Sequence, residues 1–185
     1  MLKRSFDILF SLFMIILLSP VLILTALLVK FTSKGPVIFK HKRVGLNGKD
    51  IFVYKFRTMV PDAEKLGPGL TERNDSRVTK FGKFLRRTSI DEFPQFFNTL
   101  FGSMSVAGPR PEIPEIVRDY SAFQRQVLAL RPGITGFPQI NGRADLTIPK
   151  KLRLDVYYTK HQNICFDIYI IFKTIIVLFT GKGAF

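Results

Sequence analysis

Asp91 and Glu92 adjoin in the run Arg86-Arg87-Thr88-Ser89-Ile90-Asp91-Glu92-Phe93-Pro94-Gln95, two carboxylates beside cations in a chain where acid is scarce. Against 28 Lys and Arg stand 14 Asp and Glu, a formal charge of +14. The partners are therefore anions: phosphorylated substrates, an anionic lipid surface or nucleic acid. Ser89-x-x-Glu92 matches a capping box, which places Asp91 in the first turn of a new helix with Pro94 close enough to its start to be tolerated. Helix capping alone accounts for Glu92. A helix N-terminus also offers amide donors and a partial positive charge that attract phosphate and keep Asp91 ionised, as a nucleophile must be. Adjacent helical residues diverge by about 100°, so the pair cannot face one bond as acid and base. Separate jobs follow: one carboxylate attacks phosphorus, and the other helps hold a hard cation such as Mg²⁺, which needs few carboxylates when substrate phosphate supplies further oxygens.

Cations that suit this chemistry lie elsewhere in the chain. Residues 37–40 and 50–59 read as two strands joined through Gly45-Leu46-Asn47-Gly48, with Asn-Gly supplying the positive φ angles of a tight turn. Alternation along the second strand puts Lys55 and Arg57 on one face, where they grip a phosphate or form a solvated strand face. In Gly108-Pro109-Arg110-Pro111 two prolines stiffen the backbone around Arg110, which suits bidentate phosphate binding and equally fits a rigid turn. The Gly- and Pro-rich residues 131–143 have the composition of a long structured loop.

The elements that carry these groups divide between membrane and water. Residues 8–29 are an uncharged run of 22, about 33 Å as a straight helix against a hydrocarbon core of roughly 30 Å. Ser19-Pro20 interrupts it, where proline removes the bond to Ile16 and the serine can serve the freed group. Cations flank both ends (Lys3 and Arg4; Lys30 and Lys34), which gives no crossing direction. A kinked single pass and a helix that re-enters its own leaflet both satisfy that pattern. Residues 78–87 space Val78, Phe81 and Leu85 as a short basic amphipathic helix, residues 96–102 continue as an apolar one, and 113–130 read as a surface helix. Residues 165–180, apolar but interrupted by Asp167 and Lys173, lie along an interface or in a core. One cysteine and two histidines exclude a disulfide framework and a His/Cys zinc site.

Taken in order, Lys3-Arg4-Ser5-Phe6-Asp7, Ser19-Pro20, Lys55-Phe56-Arg57-Thr58-Met59, Asp91-Glu92, Gly108-Pro109-Arg110-Pro111, Arg131-Pro132-Gly133-Ile134-Thr135-Gly136, Asn141-Gly142-Arg143 and Leu154-Asp155-Val156-Tyr157-Tyr158 resemble the monotopic phosphoglycosyl transferases, a bacterial sugar transferase family, over nearly the whole chain. The resemblance implies a mostly helical α+β protein with an N-terminal re-entrant helix-break-helix over residues 1–34. It further implies a cytosolic, membrane-associated catalytic unit over residues 35–185, with a small β-hairpin and interfacial amphipathic helices. It implies a Mg²⁺-dependent transfer of sugar phosphate from a UDP-sugar to polyprenyl (undecaprenyl) phosphate, with Asp91 as nucleophile, UMP as leaving product and Glu92 as metal ligand. Lys55, Arg57, Arg87, Arg110, Gln139, Arg143 and Asp155 are implied to shape the donor and phosphate site. The implied setting is the cytosolic face of the bacterial inner membrane, among phospholipid, with no nucleic acid and with a homodimer allowed. Where family members often carry Trp-Ala-Gln after Thr-Gly, this chain has Phe137-Pro138-Gln139, which keeps the aromatic and changes the loop. The chain is expected to be the catalytic unit alone, beginning at the re-entrant segment.

Two other readings account for part of the sequence. A membrane-anchored nucleic-acid module explains the charge but lacks base-stacking or groove-reading motifs. A non-catalytic membrane scaffold explains the apolar ends and leaves residues 91–143 without a purpose.

Overall fold

The N-terminal apolar run folds as one helix, α1 (Leu2–Thr32), with Pro20 inside it. Ser19 Oγ donates to the Ile16 carbonyl at 2.8 Å, the acceptor that proline, lacking an N–H, leaves unserved. The two half-helices expected around Ser19-Pro20 are a single helix in this structure. The computed structural model describes residues 2–63, 66, 67, 75–142 and 145–180.

Asp7, Ser11 and Thr25 lie on the inner face of α1. Asp7, Ser11, Thr25 and Val29 are its buried residues, and Asp7 to Thr25 and Ser11 to Val29 are each five whole helical turns apart. This face rests on the rest of the protein, while Phe13, Ile16, Leu17, Ile23 and Leu24 are exposed on other sides. Both ends are fastened to the body. Near the start, Arg4 donates to the carbonyls of Thr99 and Leu100 at 2.6 and 2.9 Å, and the Asp7 carboxylate accepts from Ser105 Oγ and the Val106 N–H. Near the finish, Val29 packs with Phe56 and Leu85.

The expected hairpin forms from β1 (Ile38–Val44) and β2 (Asp50–Phe56), paired antiparallel with Phe39 opposite Lys55 and His41 opposite Val53. Asn47 and Gly48 take φ of 55° and 75°, the left-handed values the turn requires. Asn98 covers the other edge of β2: its Oδ1 accepts from the Tyr54 N–H at 2.8 Å and its Nδ2 donates to the Phe52 carbonyl at 2.7 Å. One side chain thus does the work of a neighbouring strand.

Helix α2 (Lys80–Thr88) is capped by Thr79, whose side chain accepts from the Gly82 N–H. The capping box expected at Ser89 is not formed. Ser89 ends α2 in the left-handed conformation, φ 58°, whereas an N-cap side chain reaches its amide from extended backbone. Asp91 and Glu92 consequently ride a 3-10 turn, Ile90–Glu92, ahead of α3 (Gln95–Phe101). The surface helix expected over 113–130 is also divided, into α4 (Pro114–Arg118), α5 (Ala122–Arg125) and a 3-10 turn Gln126–Ala129. Tyr120 turns into the core, and Ser121 restarts the helix in a true capping box with Gln124.

Strands β3 (Ser105–Ala107) and β4 (Gly133–Thr135) pair in parallel. Their backbones approach so closely that a Cβ on Gly133 would lie 2.1 Å from the Gly108 nitrogen. Helix α6 (Phe137–Ile140) follows, then α7 (Ile148–His161) and α8 (Ile164–Thr180). The Phe137 ring stands 5.1 Å from Phe166 and 5.6 Å from Tyr157, which keeps this departure from the family pattern anchored by aromatic contact. The buried clusters are Val44 with Tyr120 and Val156, Phe56 with Leu85, and Tyr158 with Ile170. The architecture is mostly helical α+β with a two-stranded antiparallel hairpin, as expected.

Candidate active site

Lys55-Phe56-Arg57-Thr58-Met59 is the hinge of the site, each residue with a separate attachment. Lys55 Nζ donates to Glu92 Oε1 at 2.7 Å. Phe56 is core. Arg57 leaves the strand and turns to the end of α1, where its guanidinium donates to the carbonyls of Ser33 and Pro36 and to Ser33 Oγ. The strand ends at Phe56, so alternation no longer governs Arg57, and the expected pairing of its charge with that of Lys55 does not occur. The Thr58 carbonyl accepts from the Thr79 N–H at 2.9 Å, and α2 passes so near that a Cβ on Gly82 would lie 2.1 Å from that oxygen. Met59 bridges to Val78.

That junction aims Arg86 at the dyad. Its Nε donates to Thr58 Oγ1 at 2.9 Å, and Asp91 and Glu92 are among the carboxylates that act on its charge. Arg87, the residue expected in this role, is exposed one position along the helix. A step of about 100° separates the two.

Asp91 is 7% exposed. Burial and the neighbouring Glu92 charge push its carboxyl up to about 6, against the opposing pull of Lys55 and Arg86. The Glu92 side chain is 24% exposed, and Arg110 Nη2 approaches its Oε1 to 3.9 Å. One carboxylate is thus withdrawn and electrostatically poised, and its neighbour faces outward among cations. Among the described residues no group of three or more His, Cys, Asp or Glu side chains forms a ready-made metal cage. The pair instead suits Mg²⁺, which takes one or two carboxylates and completes its shell with water and phosphate oxygens.

Asp155 is 3% exposed on α7. Burial holds its carboxyl well above the usual range. The Arg110 charge acts on it in the opposite direction. Among the described residues, neither buried side-chain amide atom of Gln139 nor Asp155 Oδ1 has a hydrogen-bond partner, a costly condition that a bound polar group relieves. Arg143 lies outside the described residues.

Two residues near the dyad escaped the reading from sequence. Arg43 lies 3.7 Å from Glu112, with burial lowering its basicity to about 10, and the charges of Arg110 and Glu92 act on it. His41 shares the Lys55 face of the hairpin. Counting pairs outward from Asn47-Gly48 as a two-residue turn sets them opposite Tyr54 and Phe52, on the other face, whereas the loop that forms centres on Asn47; their neighbours Lys40 and Lys42 also made the stretch look like membrane-flanking charge.

The chain matches the family model described as bacterial sugar transferase over residues 1–181. It is 46% identical over 191 residues to the UDP-glucose:undecaprenyl-phosphate glucose-1-phosphate transferase of Klebsiella pneumoniae, an alignment covering 99% of this chain and 41% of that protein. It is 41% identical to the UDP-N-acetylgalactosamine-undecaprenyl-phosphate N-acetylgalactosaminephosphotransferase of Aeromonas hydrophila, covering 98% of this chain and 44% of that one. The chain therefore spans less than half the length of these two relatives. With the exopolysaccharide production protein PSS of Rhizobium leguminosarum bv. phaseoli it shares 44% identity over 98% of both chains.

Proposed function

The chain belongs to the bacterial sugar transferase family, and from that premise we propose that it transfers a sugar phosphate from a UDP-sugar to undecaprenyl phosphate at a membrane surface. The observation that carries the reading is the buried Asp91 beside a Glu92 held by Lys55 and approached by Arg110. That arrangement supplies a nucleophile and the positive charge that phosphoryl transfer develops a need for.

In the proposed reaction an Asp91 oxygen attacks the sugar-proximal phosphorus of the UDP-sugar. The bond from that phosphorus to the bridging oxygen breaks, and UMP leaves with the bond's electrons. An oxygen of undecaprenyl phosphate then attacks the same phosphorus, freeing the Asp91 carboxylate and giving undecaprenyl diphosphate-sugar. Lys55, Arg86 and Arg110 supply the fixed positive charge around the diphosphate, and the buried Asp155 lies within the field of Arg110. Glu92 is the residue that would hold Mg²⁺, whose charge neutralises phosphate oxygens when bound. Gln139, whose side-chain amide has no partner among the described residues, is suited to a polar group of the donor.

The same reading makes α1 a re-entrant element in the cytosolic leaflet of the inner membrane. Its two ends are fastened to one body and its exposed sides are apolar. Among the described residues it is the helix long and apolar enough to enter a bilayer. On α8, Ile168, Phe172 and Ile175 are exposed and suit the interface.

The test is UMP release from a panel of UDP-sugars with undecaprenyl phosphate and Mg²⁺ in nanodiscs, for the wild type and Asp91→Asn. UMP release that depends on Asp91, together with an Asp91-linked phosphosugar when acceptor is withheld, is the expected result. Full activity in Asp91→Asn sinks the nucleophile assignment.

A further inference from the structure

On the inner face of the hairpin, His41 sits between Phe39, which opposes Lys55, and Arg43, which opposes Ile51. Its ring packs 5.3 Å from Phe39, and its Nδ1 lies 3.3 Å from Arg43 Nη2. A guanidinium is always charged and only donates, so Nδ1 is the acceptor of that contact. The hydrogen of the neutral ring must then sit on Nε2. A second proton, at Nδ1, would set two cations against each other.

Charge reaches His41 from every side of the cluster: Arg43 on its own strand, Lys55 on β2, Arg86 on α2 and Arg110 in the loop after β3. Burial and these four cations drive its basicity down to about 3. It is the neutral donor in a cluster of cations, three of which (Lys55, Arg86 and Arg110) the proposed function places around a diphosphate.

We propose that His41 is a donor-site residue that holds a phosphate oxygen of the UDP-sugar through its neutral Nε2–H. The proposal rests on the transferase reading and adds a binding residue to it. The cations attract the diphosphate from any direction, whereas a single N–H fixed by Arg43 selects one oxygen and one orientation. It also adds no net charge, so it does not tighten the hold on departing UMP as a fifth cation would.

The experiment joins spectroscopy with kinetics on the full chain in nanodiscs. The sequence has two histidines, so His161→Gln leaves His41 as the single imidazole for ¹⁵N NMR. A neutral ring protonated at Nε2 throughout pH 5 to 8, with resonances that shift on adding UDP, is expected. With the UDP-sugar turned over by the wild type, His41→Phe keeps the aromatic packing and loses the donor, raising KM about tenfold with kcat within about threefold. His41→Gln retains an N–H donor and brings KM back to within about threefold of wild type. An imidazole indifferent to UDP, or an unchanged KM in a folded His41→Phe, overturns the proposal while wild-type turnover stands. If the wild type releases UMP from no UDP-sugar, the transferase reading fails and this proposal with it. The spectrum, taken without touching His41, still decides the matter if His41→Phe does not fold.

Discussion

Lys55 Nζ and Glu92 Oε1 meet at 2.7 Å with side chains 19% and 24% exposed, a strand cation holding the outward carboxylate of the dyad. Half-buried ion pairs of this kind fix orientation more than they add stability. On the proposed mechanism Lys55→Met lowers kcat/KM for the UDP-sugar by about 10²-fold, because it removes both the guide for Glu92 and a cation placed for the phosphate. Steady-state UMP release checks this.

Arg57 gives the contrasting outcome, although it lies two residues away. Its guanidinium serves the Ser33 carbonyl at 2.7 Å and Ser33 Oγ at 2.8 Å, so Arg57→Ala frees the end of α1. KM for the UDP-sugar should stay within about threefold, while cleavage of the α1 junction by added protease accelerates about tenfold or more. A KM effect as large as that of Lys55→Met would return Arg57 to the donor site.

The Asp91 carboxyl is raised from 3.8 to about 6 in the folded protein. For an acid shifted upward, the folded state holds its proton longer than the unfolded chain, so stability falls as pH rises from about 4 through about 6. At pH 7 the charged form therefore opposes folding, by a rough upper bound of about 3 kcal/mol. Asp91→Asn should abolish turnover and raise the melting temperature in detergent by several degrees, measured against the wild type at pH 7.5.

The same shift sets a kinetic limb. On the proposed mechanism only the carboxylate attacks, so kcat/KM of the free enzyme should climb as pH passes upward through about 6 and level off above it. Lys55 opposes the rise in the Asp91 value, so the limb measured on the residual activity of Lys55→Met should move to higher pH.

Asp167, fully buried at the start of α8, accepts from Lys3 Nζ at 2.7 Å and from the Tyr158 hydroxyl. Asp167→Ala leaves a buried hydroxyl and an ammonium without their anion, a loss of about 3–5 kcal/mol. Thermal unfolding in detergent should show it, and Asp167→Asn, which keeps an acceptor, should lose less.

The sequence made some of this legible for local reasons. Asn47-Gly48 can adopt the left-handed turn by itself, so the hairpin was readable, and Thr79 with its following amphipathic spacing gives α2. What escaped depended on a backbone conformation or a distant partner. Ser89 and Ser121 carry the same three-residue spacing to Glu92 and Gln124, yet only Ser121 has the extended backbone a cap needs. Arg86 and Arg87 are indistinguishable until Thr58 is seen bonded to one of them. Arg57 looked like a substrate cation because the attachment of α1 by its carbonyls has no sequence signature.

Strand β3 receives Asp7 and Lys3 from α1 and the Tyr158 hydroxyl from α7, one residue before Gly108 and three before Arg110. Helix α1 is thus a structural part of the candidate site's support. Cutting α1 away to obtain a water-soluble fragment would strand the Val106 amide, Ser105 and Asp167 together, so inhibitor screening and protein engineering should begin from the whole chain in lipid.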